Sequence, residues 1–357
     1  MEERVKVAIT QGDINGISYE IILKSFKDKY LFNLCTPILY GSPKVLAYYK
    51  KVLRLERIPH NTIRHTSEAQ ANQINVIDCN DNGIKVELGQ ATKEAGMAAL
   101  EALERATNDL KDGQLEILVT APINKDTIQS DDFKFPGHTE YLTQRFGVED
   151  TVMLMVQDNL RVAVVTGHIP LGKVAGEITK DKVFQKLRAL NKALIYNFGI
   201  RKPKIAVLGL NPHAGDAGLL GNEEIEILQP VLEDAKAEGI LAMGPYPADG
   251  FFGSGSFSGF DAILAMYHDQ GLIPFKTLAN KGGVNFTTGL PIVRTSPAHG
   301  TAYGIVGKNE ASEISFKEAI YEAVAIYEER SYHEECRENS LKPKERPQRK
   351  SYRPKIT

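Results

Sequence analysis

KIAVLGLNPH, residues 204–213, passes from a continuous apolar run into a turn and then a histidine. Two other stretches repeat the arrangement, RVAVVTGH at 161–168 and AILAMYH at 262–268. A short run that is apolar at nearly every position, rather than at every second one, reads as a strand covered on both faces. Further runs of this kind lie at 5–10, 37–41, 74–79, 115–121 and 151–157. Helical patterns alternate with them at 17–28, 43–52, 91–110, 139–146, 179–198, 223–239 and 315–330. The clearest, 91–110, spaces Ala95, Ala98, Ala99, Ala102, Leu103 and Ala106 by three and four. This rhythm predicts an α/β fold with a largely parallel sheet. The Gly-, Pro- and Ser-rich stretch 244–259 reads as a long loop, and 271–300 shows little periodicity.

Composition narrows the class. The 357 residues are 42% hydrophobic and 25% charged, which excludes collagen-like, disordered and coiled-coil chains and suggests about two domains. The net charge of −2 hides an asymmetry. Residues 341–357 hold seven Lys/Arg against Glu345, a net of +6, so the remainder carries −8. An acidic body argues against nucleic-acid binding, and the basic segment from about Ser340, with its prolines, reads as a disordered tail. Three scattered cysteines (Cys35, Cys79, Cys336) without CxxC imply no disulfide framework. No signal-peptide pattern and no apolar run of membrane-spanning length occurs, so a cytoplasmic protein without a membrane partner is expected.

His168, His213 and His268 each fall just past the carboxyl end of an expected strand. Ligands of open α/β sheets bind beyond those ends. Three imidazoles on one rim suit zinc or another first-row metal and leave a position for water or substrate. Against this, a strand-end histidine is also an ordinary polar residue, and spacings of 45 and 55 residues match no short metal motif. Asp269 reads either as a partner orienting His268 or as a helix N-cap. A second constellation suits an anion. His138 and Thr139, in FPGHTE, sit at a loop-to-helix junction. Lys276, Asn285 and Arg294 stand isolated in an apolar, Gly-rich segment, where the alternative is solvated loop charge. Neither G-x-G-x-x-G after a strand nor G-x-x-x-x-G-K-[ST] is present, which excludes Rossmann-type and P-loop sites.

The motifs GHTE (137–140), GLNPHAGDAG with GNEE (209–224), AMYHDQGLIPFK (265–276), GVNFTTGLPIVRTS (283–296) and AHGTA (298–302) together resemble the 4-hydroxythreonine-4-phosphate dehydrogenase family, in order, over about 5–330. The resemblance implies a fold like the isocitrate and isopropylmalate dehydrogenases, with two α/β/α lobes and the active site in the cleft between them. Lobe one is then 1–135 plus 275–330, lobe two 136–274, and 331–357 the tail. It implies NAD or NADP, bound without the Rossmann glycines, and one divalent metal (Zn, Co or Mg) on His168, His213 and His268. It implies substrate contacts at His138, Thr139, Lys276, Asn285 and Arg294, and a homodimer whose metal site draws on both subunits. The reaction implied is oxidation of 4-phosphooxy-L-threonine followed by decarboxylation, in pyridoxal phosphate (vitamin B6) biosynthesis. The alternative is a paralogue acting on a four-carbon sugar-acid phosphate, threonate or erythronate 4-phosphate. A metal-dependent hydrolase or aldolase working without NAD is a more distant rival. Catalytic candidates are Lys276, Asp249 and Asp269, and cofactor candidates are Gly12, Asp13, Gly16 and His299. The Gly12–Tyr19 loop lacks the two prolines common in the family, and Gly167 stands where relatives carry Thr.

Overall fold

The structure is a computed structural model that describes residues 4–79, 84–131, 133–149, 151–280 and 282–340. The tail from 341 onward lies outside the described residues. Twelve strands form one sheet: β1 (Lys6–Thr10), β2 (Thr36–Gly41), β3 (His60–Ile63), β4 (Ile74–Asp78), β5 (Ile117–Thr120), β6 (Val152–Gln157), β7 (Leu160–Thr166), β8 (Lys204–Leu208), β9 (Leu241–Tyr246), β10 (Ala262–Tyr267), β11 (Val284–Thr288) and β12 (Val293–Pro297). Their order is β3-β4-β2-β1-β5-β12-β11-β6-β7-β10-β8-β9. All neighbouring pairs are parallel except β12–β11, β11–β6 and β6–β7, which lie together at the centre. The two expected lobes therefore share a single sheet, and the chain's return after 275 places β12 beside β5.

The helices are α1 (Ser18–Ser25), α2 (Tyr30–Leu34), α3 (Pro43–Val52), α4 (Lys93–Lys111), α5 (His138–Phe146), α6 (Val174–Glu177), α7 (Lys180–Phe198), α8 (Gln229–Ala237), α9 (Ala248–Gly253), α10 (His268–Leu278) and α11 (Ile314–Glu338). Thr92 and Thr179 cap α4 and α7 by accepting from Ala95 N and Lys182 N. Strand residues alternate between two cores. Val7, Ile9, Leu154, Val156, Ala163, Val165, Ile205 and Val207 face one continuous core, which also holds apolar residues of α1, α3, α7, α8 and α11. On the other face the core is split. Ala8, Leu118 and α4–α5 form one cluster, while Val162, Val164, Ala206, Leu208 and α10 form another. The break between them lies over the antiparallel centre of the sheet.

Several expectations need correction. The stretch 244–259 is not a loop. It carries the end of β9, helix α9 and a 3-10 turn, held by packing among Tyr246, Phe251, Phe252, Phe257 and Phe260. The stretch 271–300 forms most of α10 and all of β11 and β12, strands whose alternation is apolar on one side and polar on the other. Helix 17–28 breaks at Ser25 and resumes as α2, and 223–239 opens with a π turn at Glu224–Leu228 before α8. Part of the expected tail is helical. α11 runs to Glu338, with His333 beside Glu329 at 3.5 Å and against Tyr196 of α7. Strands β3 and β9 went unread.

Candidate active site

The floor of the site follows from alternation. On β12, β11 and β6 the apolar residues Val293, Val284, Phe286, Leu154 and Val156 face the continuous core. Their neighbours Arg294, Ser296, Asn285, Thr287, Met153 and Met155 face the break between the two clusters. A cleft of about 230 Å³ opens there, lined also by Thr120, Lys125, His138, Thr139, Glu140, His168, His268, Lys276 and His299.

Unsatisfied polar atoms mark this cleft as built for a ligand. His138 Nε2, Asn285 Oδ1, Arg294 Nε and His299 Nε2 are buried and have no hydrogen-bond partner. Natively folded chains leave few such atoms, because each costs about 1–3 kcal/mol. A larger groove of about 1060 Å³ lies between α7, α11 and residues 288–291, but none of its lining residues carries such an orphan among the described residues.

Arg294 is the anchor. It is 2% exposed, and its terminal nitrogens donate to Thr287 Oγ1 (3.0 Å) and Thr120 Oγ1 (2.7 Å). Burial lowers its pKa to about 10, leaving a held cation with Nε free. Thr139 Oγ1 lies 3.3 Å from Thr287 Oγ1, tying the start of α5 to the floor. Burial, then the charges of Arg294 and Lys125, push the His138 imidazole well below its ordinary value, so it is neutral at physiological pH. Burial also lowers the His299 imidazole. Lys276, on α10, and Lys125 add cations at the exposed rim.

His168 follows β7 and His268 opens α10 after β10, two parallel neighbours in the sheet. Their rings lie 5.7 Å apart, tilted by 44°. A metal ion held at about 2.0–2.1 Å by two imidazole nitrogens in near-tetrahedral geometry sets ring centres about 5–6 Å apart, so this pair fits one ion. His268 Nδ1 faces Asp269 Oδ1 at 2.7 Å, and His168 Nδ1 faces Glu140 Oε1 at 4.0 Å. The His268 ring thus shares a hydrogen bond with its carboxylate through Nδ1, while His168 has a carboxylate on its Nδ1 side beyond hydrogen-bond distance.

His213 does not join them. It starts a turn, Pro212–Gly218, in which residues 213–218 all have positive φ, and it is exposed outside the cleft lining. Left-handed backbone costs non-glycine residues roughly 1–2 kcal/mol each, so the turn needs external support. Glu224, from GNEE, supplies it. This buried carboxylate accepts from Leu210 N (2.7 Å), Asn211 N (2.8 Å) and Asn211 Nδ2 (3.0 Å). Asp249 is likewise exposed, on α9, which packs against that turn. Among the described residues, no group of three His, Cys, Asp or Glu side chains stands ready for a metal within one chain.

The first loop is packed rather than open. Asp13 is buried, accepting from Tyr303 Oη (2.6 Å) and Asn15 N (2.8 Å). A Cβ on Gly12 or Gly16 would collide with Pro122 O or Thr301 O. Gly12, Asp13 and Gly16 are absent from the cleft lining; Gly12 packs on Ala121–Pro122, and Asp13 and Gly16 brace Thr301 and Tyr303, while His299 reaches the cleft. Thr120, Thr287, Lys125 and Glu140 escaped the sequence reading. Alternation with Asn285 pointed to Thr287, and Glu140 stood within GHTE.

Comparison with known proteins fits this geometry. Residues 33–323 match the family described as pyridoxal phosphate biosynthetic protein PdxA. The chain belongs to the PdxA family. It is 52% identical over 342 residues to 4-hydroxythreonine-4-phosphate dehydrogenase of Bacteroides thetaiotaomicron, covering 96% of this chain and 94% of that one. It is also 37% identical to a putative D-threonate 4-phosphate dehydrogenase of Oceanobacillus iheyensis, covering 91% and 99%. Among solved PdxA-family structures, 4-hydroxythreonine-4-phosphate dehydrogenase from Klebsiella pneumoniae superposes with a TM-score of 0.78 at 34% identity, covering 91% of this chain and 98% of that one. Among the described residues no helix is long and apolar enough to cross a membrane.

Proposed function

We propose that this chain is a metal-dependent NAD(P) oxidoreductase that oxidises 4-phosphooxy-L-threonine to 2-amino-3-oxo-4-phosphooxybutanoate. That β-keto acid then loses CO2 to give 3-amino-2-oxopropyl phosphate, a step in pyridoxal phosphate biosynthesis. The observation that carries the reading is one polar floor joining a buried anion cradle (Arg294, His138, Asn285) to the paired imidazoles His168 and His268. The named relatives support the choice of substrate.

The cradle holds the phosphate and fixes the reacting carbon, so binding energy remote from the chemistry orients it. His138, being neutral, is able to donate from one ring nitrogen, while Arg294 supplies the charge. His168 and His268 would hold a divalent ion, Zn, Co or Mg, which would supply Lewis-acid polarisation of the substrate oxygen. The oxidation removes a hydride from C3 and a proton from its hydroxyl, and NAD(P), when bound, would supply the hydride acceptor. Of the two candidate acceptors Lys276 lines the cleft and Asp249 lies elsewhere, while Asp269 is engaged by His268. His299, with a buried unpartnered Nε2, is the cofactor contact.

We further propose a homodimer in which a second copy brings His213 and Asp249 to the cleft. Leu219 (78% exposed), Leu220 and Ile225 surround the His213 turn, and the edge strand β9 exposes Leu241 and Met243. Such an apolar edge requires a cover. Coexpression of His168→Ala and His213→Ala chains tests this. If His213 acts across the interface, each mixed dimer keeps one intact site, and turnover returns to roughly a quarter of wild type by random assortment. No recovery on mixing means one chain supplies all three ligands.

The second reading, a D-threonate 4-phosphate dehydrogenase, is favoured by the Oceanobacillus relative. Both readings share cradle and metal pair. NAD(P) reduction measured with each substrate decides, and turnover of the sugar acid alone overturns the first. Turnover without NAD(P) would favour the hydrolase or aldolase.

A further inference from the structure

Glu140 stands out among the residues of the cleft. Apart from it, the charged side chains lining that space are cations: Lys125, Lys276 and Arg294. It belongs to the first turn of α5, where a carboxylate favours the helix dipole. Helix stabilisation alone does not require it to point into the cleft, yet Oε1 lies 4.0 Å from His168 Nδ1. The second imidazole of the pair has the same arrangement, with Asp269 Oδ1 2.7 Å from His268 Nδ1. Two rings placed after different strands thus each have a carboxylate on the Nδ1 side, hydrogen-bonded for His268 and 4.0 Å away for His168, one from the adjacent residue and the other from a separate helix. His168 needs such a partner more than His268 does. It follows Gly167, where an added Cβ would meet nothing within 4 Å, so no side chain packs beside the ring's own backbone at that position. The His168 side chain is itself half exposed.

We infer that Glu140 is a positioning residue that fixes the ring orientation and tautomer of His168, keeping the proton on Nδ1 and the lone pair on Nε2. A carboxylate facing the far nitrogen of a metal-binding imidazole raises its basicity, and losing such a partner typically costs about 10–100-fold in metal affinity. A small movement of the Glu140 side chain would close the present gap of 4.0 Å to hydrogen-bond distance. The inference rests on the proposal that His168 and His268 hold a divalent ion.

The experiment measures Zn2+ affinity by competition with a chromophoric chelator, and the Co2+ visible spectrum, on purified full-length chain without substrate or nucleotide. The variants are Glu140→Ala, Glu140→Gln and His168→Ala, with thermal melts to verify folding. The expected result is Zn2+ binding weakened about 10–100-fold in Glu140→Ala, partly restored in Glu140→Gln, which keeps an acceptor oxygen but not the charge, and lost in His168→Ala. The Co2+ bands should shift in Glu140→Ala. Wild-type affinity and spectrum in a folded Glu140→Ala, while His168→Ala fails to bind, would overturn the role of Glu140 and leave the metal pair standing. Equal losses in the Ala and Gln variants would also overturn it. Zn2+ binding unaffected by His168→Ala would instead refute the metal pair, and this inference with it.

Discussion

At the residue scale, Arg294 shows how burial turns a common side chain into a recognition group. Its two threonine contacts hold the guanidinium so that Nε meets the cleft already oriented. Lysine gathers its three donors on one tetrahedral nitrogen and cannot span two hydroxyls and a ligand as the flat guanidinium does. Arg294→Lys should therefore raise KM for the phosphorylated substrate about 10–100-fold, the worth of one to two charge-assisted hydrogen bonds. Steady-state kinetics with thermal melts would check this. His138 carries a pH consequence. Its folded pKa lies well below the unfolded value of about 6.5. The unfolded chain therefore takes up a proton below about pH 6.5 that the folded chain refuses, and stability falls as pH drops below that value. His299 acts in the same direction. The melting temperature should decline from about pH 7 to about pH 5, and His138→Asn should flatten that decline. An equally steep decline in the variant would contradict the assignment. Of these residues the sequence showed type and place, but not that three orphaned nitrogens and one amide oxygen share one cavity.

At the element scale, the His213 turn and α10 depend on buried groups distant from them in sequence. Glu224→Ala would leave Leu210 N and Asn211 N without their acceptor and release the left-handed run. A loss of about 1–3 kcal/mol is expected, read by urea unfolding, with a larger fall in turnover than in stability because His213 moves with the turn. Helix α10 packs so closely on β7 and β10 that a Cβ on Gly271 would lie 2.9 Å from Val162 Cγ1 and 3.0 Å from Ala265 Cβ. Gly271→Val should cost about 1–3 kcal/mol by overpacking, and should lower kcat as His268 and Lys276 shift with the helix. The strands readable in the sequence were those buried on both faces. β11 and β12 were not readable, because the cleft requires polar residues on one side, and Gly282, Gly283 and Gly289 around them resemble a loop.

At the molecular scale, the antiparallel centre of the sheet decides where the site lies. Expectation put the ligand beyond the carboxyl ends of the strands. The cleft opens there, past the ends of β5, β7, β10 and β12, where Lys125, His168, His268 and His299 lie, and it extends over the face of β11 and β6, where the two clusters of that face part. Among the described residues the cleft lining comes from residues 120–300, and deleting the basic residues 341–357 should leave kcat and KM unchanged. A change in either would place that segment at the site. Replacing exposed Leu219 and Leu241 by Asp should convert a dimer to monomer in sedimentation and abolish turnover while the fold persists.

The sequence by itself determined the α/β class, most strand positions and the identity of the chemistry-bearing side chains, because apolar periodicity and residue type are local. The family motifs likewise mark positions in order along the chain. Only the tertiary structure decided which of those side chains meet. It paired His168 with His268, turned His213 away, buried Asp13 and aimed Glu140 into the cleft. Those outcomes depend on strand order, on a left-handed turn held by Glu224 and on packing between elements far apart in sequence, which local pattern does not encode.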